Sequence, residues 1–341
     1  MSTRIEWCEE TWNPVVGCSA VSPGCAHCYA ASVARRAMQP AHAGLVNARG
    51  HWTGEVRLLP ERLAEPLHWR KPRRVFVCSM SDLFHEDVPD EFIDRVFAIM
   101  ALTPLTTYQV LTKRADRMLR YIQSRADGKA WTRWILNGPR PARSVCGGVD
   151  GAHWLSLARN IWLGVSCEDQ QRADERIPLL LRTPAAVRFV SAEPLLGPVD
   201  LDASVRSSVP GSLRHHLTGA GLDWVIVGGE SGPGARPCDV AWIRSIVEQC
   251  RAASVPAFVK QLGARPFQLV SAEGGAQGTE EALARLGERH PQRAWFGRGW
   301  TLIHLPDGTS WWRWPSGRLR DRKGGDPNEW PEDLRVREWP E

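Results

Sequence analysis

The sequence predicts an α/β protein, a partial parallel (β/α) barrel of about six or seven units with a small Trp-rich β appendage at its C-terminus. Three observations carry this expectation. Short apolar runs recur between stretches with helical periodicity, as buried parallel strands alternating with covering helices do. A polar residue follows almost every apolar run directly, and in parallel α/β folds the carboxyl ends of the strands carry the site. The alternation spans about 245 residues, and a complete eight-unit barrel takes ~250 before two apparent insertions are counted. An open doubly wound sheet is the runner-up.

The elements follow in order. Ile5-Glu6-Trp7 and Thr11-Trp12-Asn13-Pro14 lead into a short strand around Trp12–Val16, interrupted by Pro14. A helix begins at Tyr29 and runs through Ala30–Ala37. Residues 40–60 read as loop, with a short strand at Glu55–Leu59. Arg74–Ser79 is the next strand. Asp90 is placed to cap a helix Glu91–Leu102, whose Phe92, Val96, Phe97 and Met100 share a face. Thr107–Leu111 is a strand and Ala115–Gln123 a helix. Residues 124–158 break the rhythm with Gly, Pro and scattered Trp, as an insertion capping a site would. The rhythm resumes with strand Asn160–Val165, a helix at about Gln171–Arg182 containing Pro178, and strand Val187–Val190. A second irregular insertion covers 199–221. Then come strand Asp223–Val227, helix Val240–Ala253 capped by Asp239, and strand Ala257–Gln261.

These units place the barrel in residues 1–263 and the appendage in 264–341. The appendage reads as a short helix at Glu280–Gly287 and a hairpin of Gly299–Leu305 with Thr309–Trp314, turning at Pro306-Asp307-Gly308. A basic segment, Arg318–Gly325, and a last Trp-bearing stretch follow. Of the 17 tryptophans, seven lie between Trp295 and Trp339.

The 341 residues are 43% hydrophobic, ample for a large core. The net charge of +5 is compatible with a nucleic-acid partner without demanding one. No run reaches the length of a membrane span and the first residues have no apolar signal core, so the expectation is a cytoplasmic protein with no membrane partner. The 9 cysteines are an odd number, which argues against a complete disulfide framework and for a reducing compartment.

Three of them, Cys18, Cys25 and Cys28, fall on one loop with spacing C-x6-C-x2-C, just before a helix. Thiolates are soft anionic ligands, and a helix N-terminus favours their ionised form. Three thiolates do not close a tetrahedral zinc site. They can hold three irons of a [4Fe–4S] cluster and leave the fourth open. Zinc with His27 as fourth ligand is the second reading and plain buried thiols the third. Cys78 and Cys167 stand at strand ends, as small buried residues or as a fourth thiolate. Cys8, Cys146, Cys238 and Cys250 are read as structural. Polar candidates collect after the apolar runs: Ser79, Ser81, Asp82, Lys113, Arg114, Ser166, Glu193, Glu230 and Lys260. Gly228–Gly234 is either an anion-cradling loop or a flexible turn.

The cysteine stretch resembles the cluster loop of radical S-adenosylmethionine enzymes, whose commonest spacing is C-x3-C-x2-C with an aromatic before the last cysteine. Here the first gap is longer and His27 takes the aromatic place. Taken together, several stretches resemble a phage- and prophage-associated family of three-cysteine proteins akin to those enzymes. They are Trp12–Cys18 through Cys28-Tyr29, Ser79–Phe84, Leu111–Arg114, Leu163–Ser166, Ser191–Leu196, Gly228–Gly232, Asp321–Gly325 and Trp330–Leu334. The resemblance implies a partial barrel with a [4Fe–4S] cluster on Cys18, Cys25 and Cys28 at its mouth, S-adenosylmethionine as cofactor and an external electron donor. It offers Ser79, Ser81, Asp82 and Ser166 for the methionine and ribose groups. Lys113, Arg114, Glu193, Glu230 and Lys260 are offered for catalysis or substrate contact. The substrate stays open among nucleic acid, small molecule and partner protein. Nucleic acid stands first, on the basic segment Arg318, Arg320, Arg322 and Lys323 and on the charge of Lys113, Arg114 and Lys260. The alternative is a non-enzymatic nucleic-acid-binding protein with a structural zinc.

Overall fold

The computed structural model describes residues 3, 5–36, 40–125, 128–131, 133, 159–206, 221–232, 234–270, 301–304, 310–313, 321 and 323–340. The expected insertion at 124–158, most of that at 199–221, the helix Glu280–Gly287 and the arginines of the basic segment lie wholly or largely outside these residues.

Seven strands form one sheet: β1 (Glu10–Trp12), β4 (Arg74–Val77), β5 (Thr107–Thr112), β6 (Ile161–Ser166), β7 (Val187–Ala192), β8 (Trp224–Gly228) and β10 (Ala257–Gln261). Every neighbouring pair is parallel. The spatial order β1-β4-β5-β6-β7-β8-β10 follows the chain without reversal. A doubly wound sheet needs a reversal, so the progressive order selects a barrel-type, curled half-barrel over the runner-up.

Helices α1 (Tyr29–Arg36), α2 (Asp90–Leu102), α3 (Ala115–Ser124), α4 (Gln170–Leu181), α5 (Leu201–Arg206) and α6 (Val240–Ala252) separate the strands. Asp239 caps α6 by accepting the Ala241 N–H at 2.9 Å, and Asp169 caps α4 through Arg172 N at 2.9 Å. Asp90 does not cap. It is the first residue of α2 after Pro89, and its carboxylate takes Arg117 Nη2 at 3.0 Å. The expected strand over Trp12–Val16 is two: β1 stops at Trp12, and β2 (Val15–Val16) pairs antiparallel with β3 (Arg57–Leu58). Asn13-Pro14 makes the break, since proline supplies no ladder N–H.

Strand alternation sorts the core into two bodies. Val75, Val77, Val110, Leu163, Val165, Val190, Val225, Val227 and Val259 join the buried faces of the helices. Their neighbours Phe76, Phe189, Trp224, Ile226 and Phe258 join Trp7 and Cys8 in a separate cluster inside the curl. Gln109 and Gly164 share that inner face by register. A Cβ on Gly164 would lie 2.5 Å from the Phe189 ring, so space alone keeps this position a glycine.

The expected hairpin is present as β12 (Thr301–His304) antiparallel to β13 (Ser310–Arg313). Strand β11 (Pro266–Val270) pairs with β13 and, in parallel, with β9 (Cys238–Asp239), so the small sheet draws on both sides of residue 263. The final residues return to the barrel. Val259 N donates to Val336 O and Glu338 N to Ala257 O, covering the β10 edge. Trp330 is fully buried against the helical layer, and Trp339 packs at a tilt against Trp224, ring centroids 5.0 Å apart. Among the described residues no helix is long and apolar enough to cross a membrane.

Candidate functional site

The cysteine loop reaches the carboxyl ends of the strands through Gly17. This residue has φ +91°, and a Cβ there would lie 2.2 Å from Glu55 O, so only glycine fits. Its N–H donates to Met80 O, fastening the loop to the segment after β4. A 3-10 turn, Pro23–Cys25, carries the second cysteine, and Cys28 immediately precedes α1. Cys18, Cys25 and Cys28 are unpaired and half-buried. The other described cysteines are buried, and burial pushes the Cys8, Cys78, Cys167 and Cys250 thiols up to about 12. Cys18 also rises to about 12 through burial and the nearby Asp82 charge, against the pull of Arg114.

Three groups of charged side chains, each from a different strand end, hold this loop. After β5, Arg114 donates from Nη2 to Ser19 Oγ at 2.7 Å and lies 3.8 Å from Cys18 Sγ through Nη1. Its guanidinium is itself held by Asp82 at 3.1 Å and by Glu86. Buried His85 meets the same Ser19 Oγ at 2.8 Å; burial and then Arg114 lower its pKa. After β6, Glu168 accepts the Gly24 N–H at 3.1 Å, Lys113 Nζ at 3.3 Å and Arg176 Nη1 at 2.9 Å. Burial alone would raise its pKa, but the two cations outweigh it and hold Glu168 at about 2. After β8, Glu230 binds Arg236 and accepts His27 Nδ1 at 3.0 Å, while Arg236 Nη1 donates to Pro23 O at 2.9 Å. Those hydrogen bonds overcome burial and keep Glu230 below the ordinary carboxylate range.

The remaining candidates divide. Ser79 donates to Asn13 Oδ1 at 3.2 Å, and its carbonyl accepts the Tyr29 hydroxyl at 2.8 Å. Ser81 donates to Val15 O at 2.8 Å. Asp82 is saturated by Phe84 N, Thr112 Oγ1, Lys113 N and Arg114. Ser166 is buried at the end of β6, with its carbonyl taken by Arg176 at 2.7 Å. Glu193 Oε1 receives Lys260 Nζ at 2.6 Å and Gln261 Nε2 at 2.9 Å, in a partly exposed pair bridging the ends of β7 and β10. Each of Lys113, Arg114 and Lys260 is therefore ion-paired, and the expected surplus of positive charge at the mouth is neutralised by Glu168, Asp82 and Glu193.

Glu168, Arg236, Ser19 and Arg176 were not among the candidates expected from the sequence. Glu168 was within reach: in Gly164-Val-Ser-Cys-Glu168 it stands two residues past a strand end already marked by Ser166. Arg236 reaches Pro23 from 213 residues away, and nothing local signals that.

Among the described residues, no group of three His, Cys, Asp or Glu side chains is gathered as ligands of a metal ion. The donor chemistry of the loop is three sulfurs. His27, the side chain offered as a fourth zinc ligand, has Nδ1 held by Glu230 at 3.0 Å, which leaves Nε2 as its available ring nitrogen. Three sulfurs, with Arg114 Nη1 3.8 Å from that of Cys18, match in number the thiolates that hold three irons of a [4Fe–4S] cluster and are one short of a closed tetrahedral zinc site.

No curated protein and no solved structure matches the chain. A family model described as a protein of unknown function, DUF5131, matches residues 2–302.

Proposed function

The chain belongs to the DUF5131 family of proteins of unknown function, and within it we propose that this protein is a phage-associated, cytoplasmic iron–sulfur enzyme of the radical S-adenosylmethionine type. Cys18, Cys25 and Cys28 would ligate a [4Fe–4S] cluster. The observation that carries this reading is a three-thiol loop fastened across the carboxyl ends of a curled parallel sheet by charged groups from three strand ends. When bound, such a cluster supplies an open iron for the amino and carboxylate groups of S-adenosylmethionine and, with an external electron donor, the reductive cleavage that yields a hydrogen-abstracting 5′-deoxyadenosyl radical.

The chain's own residues orient and shield. Arg114, fixed by Asp82, offsets negative charge at Cys18 and holds Ser19. Tyr29 keeps its ring half-exposed beside Cys28 while its hydroxyl is tied to Ser79 O, a fixed apolar wall at the mouth. Glu193 takes both of its donors on Oε1, which leaves Oε2 to accept a donor from a substrate. With the mouth cations paired, the motive for a nucleic-acid substrate is reduced to the C-terminal basic segment. A small polar molecule becomes the stronger expectation at the mouth itself.

The test is anaerobic reconstitution with iron, sulfide, reductant and S-adenosylmethionine. Formation of 5′-deoxyadenosine supports the reading. One tightly held zinc per chain, no sulfide and no nucleoside product would replace it with the zinc-bearing nucleic-acid-binding alternative.

A further inference from the structure

Glu168 stands out among the buried charges. It is fully buried, 0% exposed, yet ionised. Its carboxylate joins Lys113 at the end of β5, Arg176 on α4 and the Gly24 N–H of the cysteine loop. Its own backbone carbonyl accepts Leu196 N at 2.8 Å from the segment after β7. Burying a charge is costly unless it is paired, and apolar residues of similar size hold a frame of strands and helices at least as well. Lys113 and Arg176 belong to that frame. The Gly24 N–H does not: it belongs to the turn that presents Cys25, and Gly24 directly precedes that cysteine.

Gly24 shows the same contact from the other side. Its backbone is not in the left-handed region, so conformation does not require glycine. Space does, because a Cβ would come 2.9 Å from Glu168 Oε1 and 3.3 Å from Lys113 Nζ. Two residues 144 apart in sequence are thus matched to each other, one by charge and one by the absence of a side chain.

We propose that Glu168 is a positioning residue for the metal cluster: through the Gly24 N–H it fixes the turn that presents Cys25, and the barrel folds without that contact. The proposal rests on the reading of Cys18, Cys25 and Cys28 as cluster ligands. Glu168 does not touch the cluster.

The experiment compares wild type, Glu168→Gln, Gly24→Ala and the double variant, first metal-free and then after anaerobic reconstitution with iron and sulfide. In the metal-free proteins, amide exchange at Gly24 and alkylation of Cys25 are followed by mass mapping, with fully buried Cys250 as the reporter of global opening. Glu168→Gln is expected to raise both rates about tenfold, the factor for losing one hydrogen bond to a charged acceptor. Cys250 labelling and circular dichroism are expected to stay at wild-type values. After reconstitution, Glu168→Gln is expected to bind less iron and sulfide and to show a broadened cluster electron-paramagnetic-resonance signal. The double variant is expected to be no worse than the worse single one, as two changes to one contact should be.

Unchanged Gly24 exchange and Cys25 labelling in Glu168→Gln overturn the proposal. So does equal acceleration at Cys250, which would make Glu168 a holder of the fold. If Glu168→Gln does not fold, Gly24→Ala decides alone, and Cys25 labelling at the wild-type rate then overturns it. Wild type that takes up zinc but neither iron nor sulfide would sink the cluster reading, while the metal-free measurements would still report on the Gly24 contact. Wild type that assembles the cluster beside an equally competent Glu168→Gln would sink the positioning role alone.

Discussion

At one end of the curled sheet, Trp224 stands among Trp7, Trp162, Phe189, Phe258 and Trp339, with ring centroids 5.0–6.4 Å away. At the other end, Glu168, Arg114 and Glu230 hold a half-exposed loop by hydrogen bonds and ion pairs. The same strands supply both ends. The aromatic end is closed by shape and by exclusion of water, forces that are strong and tolerant of small displacements. The loop end is held by directional contacts that contribute less net stability but fix atoms relative to one another. Stability therefore rests on the first end and positioning of the thiols on the second.

The largest effect is expected from Trp224→Ala. It removes a fully buried ring and the Nε1–H donated to Glu338 O at 2.9 Å, and large-to-small changes at such sites cost about 3–5 kcal/mol. Denaturant unfolding should show that loss, while Cys25 labelling under native conditions stays at its wild-type rate. If labelling at Cys25 rises together with the loss of stability, the two ends are not separable.

Next is acid. Glu168 has its pKa depressed from 4.5 to about 2 in the folded protein, so its contribution is fully present above about 4.5 and is lost as pH falls through 2. The groups facing it are Lys113 from the end of β5, Arg176 from α4 and the Ser22–Gly24 backbone and hydroxyl of the loop. Amide-exchange protection at Gly24 should fall from pH 5 to pH 2 more steeply in wild type than in Glu168→Gln, and parallel curves would contradict the assignment.

Gly17→Ala comes third. A side chain at φ +91° with its Cβ 2.2 Å from Glu55 O should cost about 1–3 kcal/mol and raise labelling of Cys18 more than that of Cys250. The smallest effect is Tyr29→Phe, which removes one hydrogen bond to Ser79 O and should cost about 1 kcal/mol, with increased reactivity at Cys28.

The same contrast explains how much was legible in the sequence. Strand and helix patterns encode which face is buried, so the barrel units, the parallel sheet and the Asp239 cap could be read from local periodicity. Asp90 could not, because a helix-start residue serves as cap or first-turn acid according to the backbone before it, and Pro89 took the cap position. The three cysteines were visible because their spacing is local. The partners that fix them were not, because Arg236 to Pro23 and Glu168 to Gly24 are contacts across the sheet. Lys113, Arg114 and Lys260 were read as free positive charge because sequence shows a side chain's charge and not its counter-ion.

The central claim, that Cys18, Cys25 and Cys28 alone hold an iron–sulfur cluster, is tested most directly by metal and sulfide analysis of anaerobically purified protein. The account predicts about four irons and four sulfides per chain in wild type and in Cys250→Ala. It predicts loss of both from Cys18→Ala, Cys25→Ala and Cys28→Ala, each still folded by circular dichroism. A full complement of iron and sulfide in Cys25→Ala would contradict the ligand set, and loss in Cys78→Ala or Cys167→Ala would give the cluster a fourth protein ligand and remove the open iron.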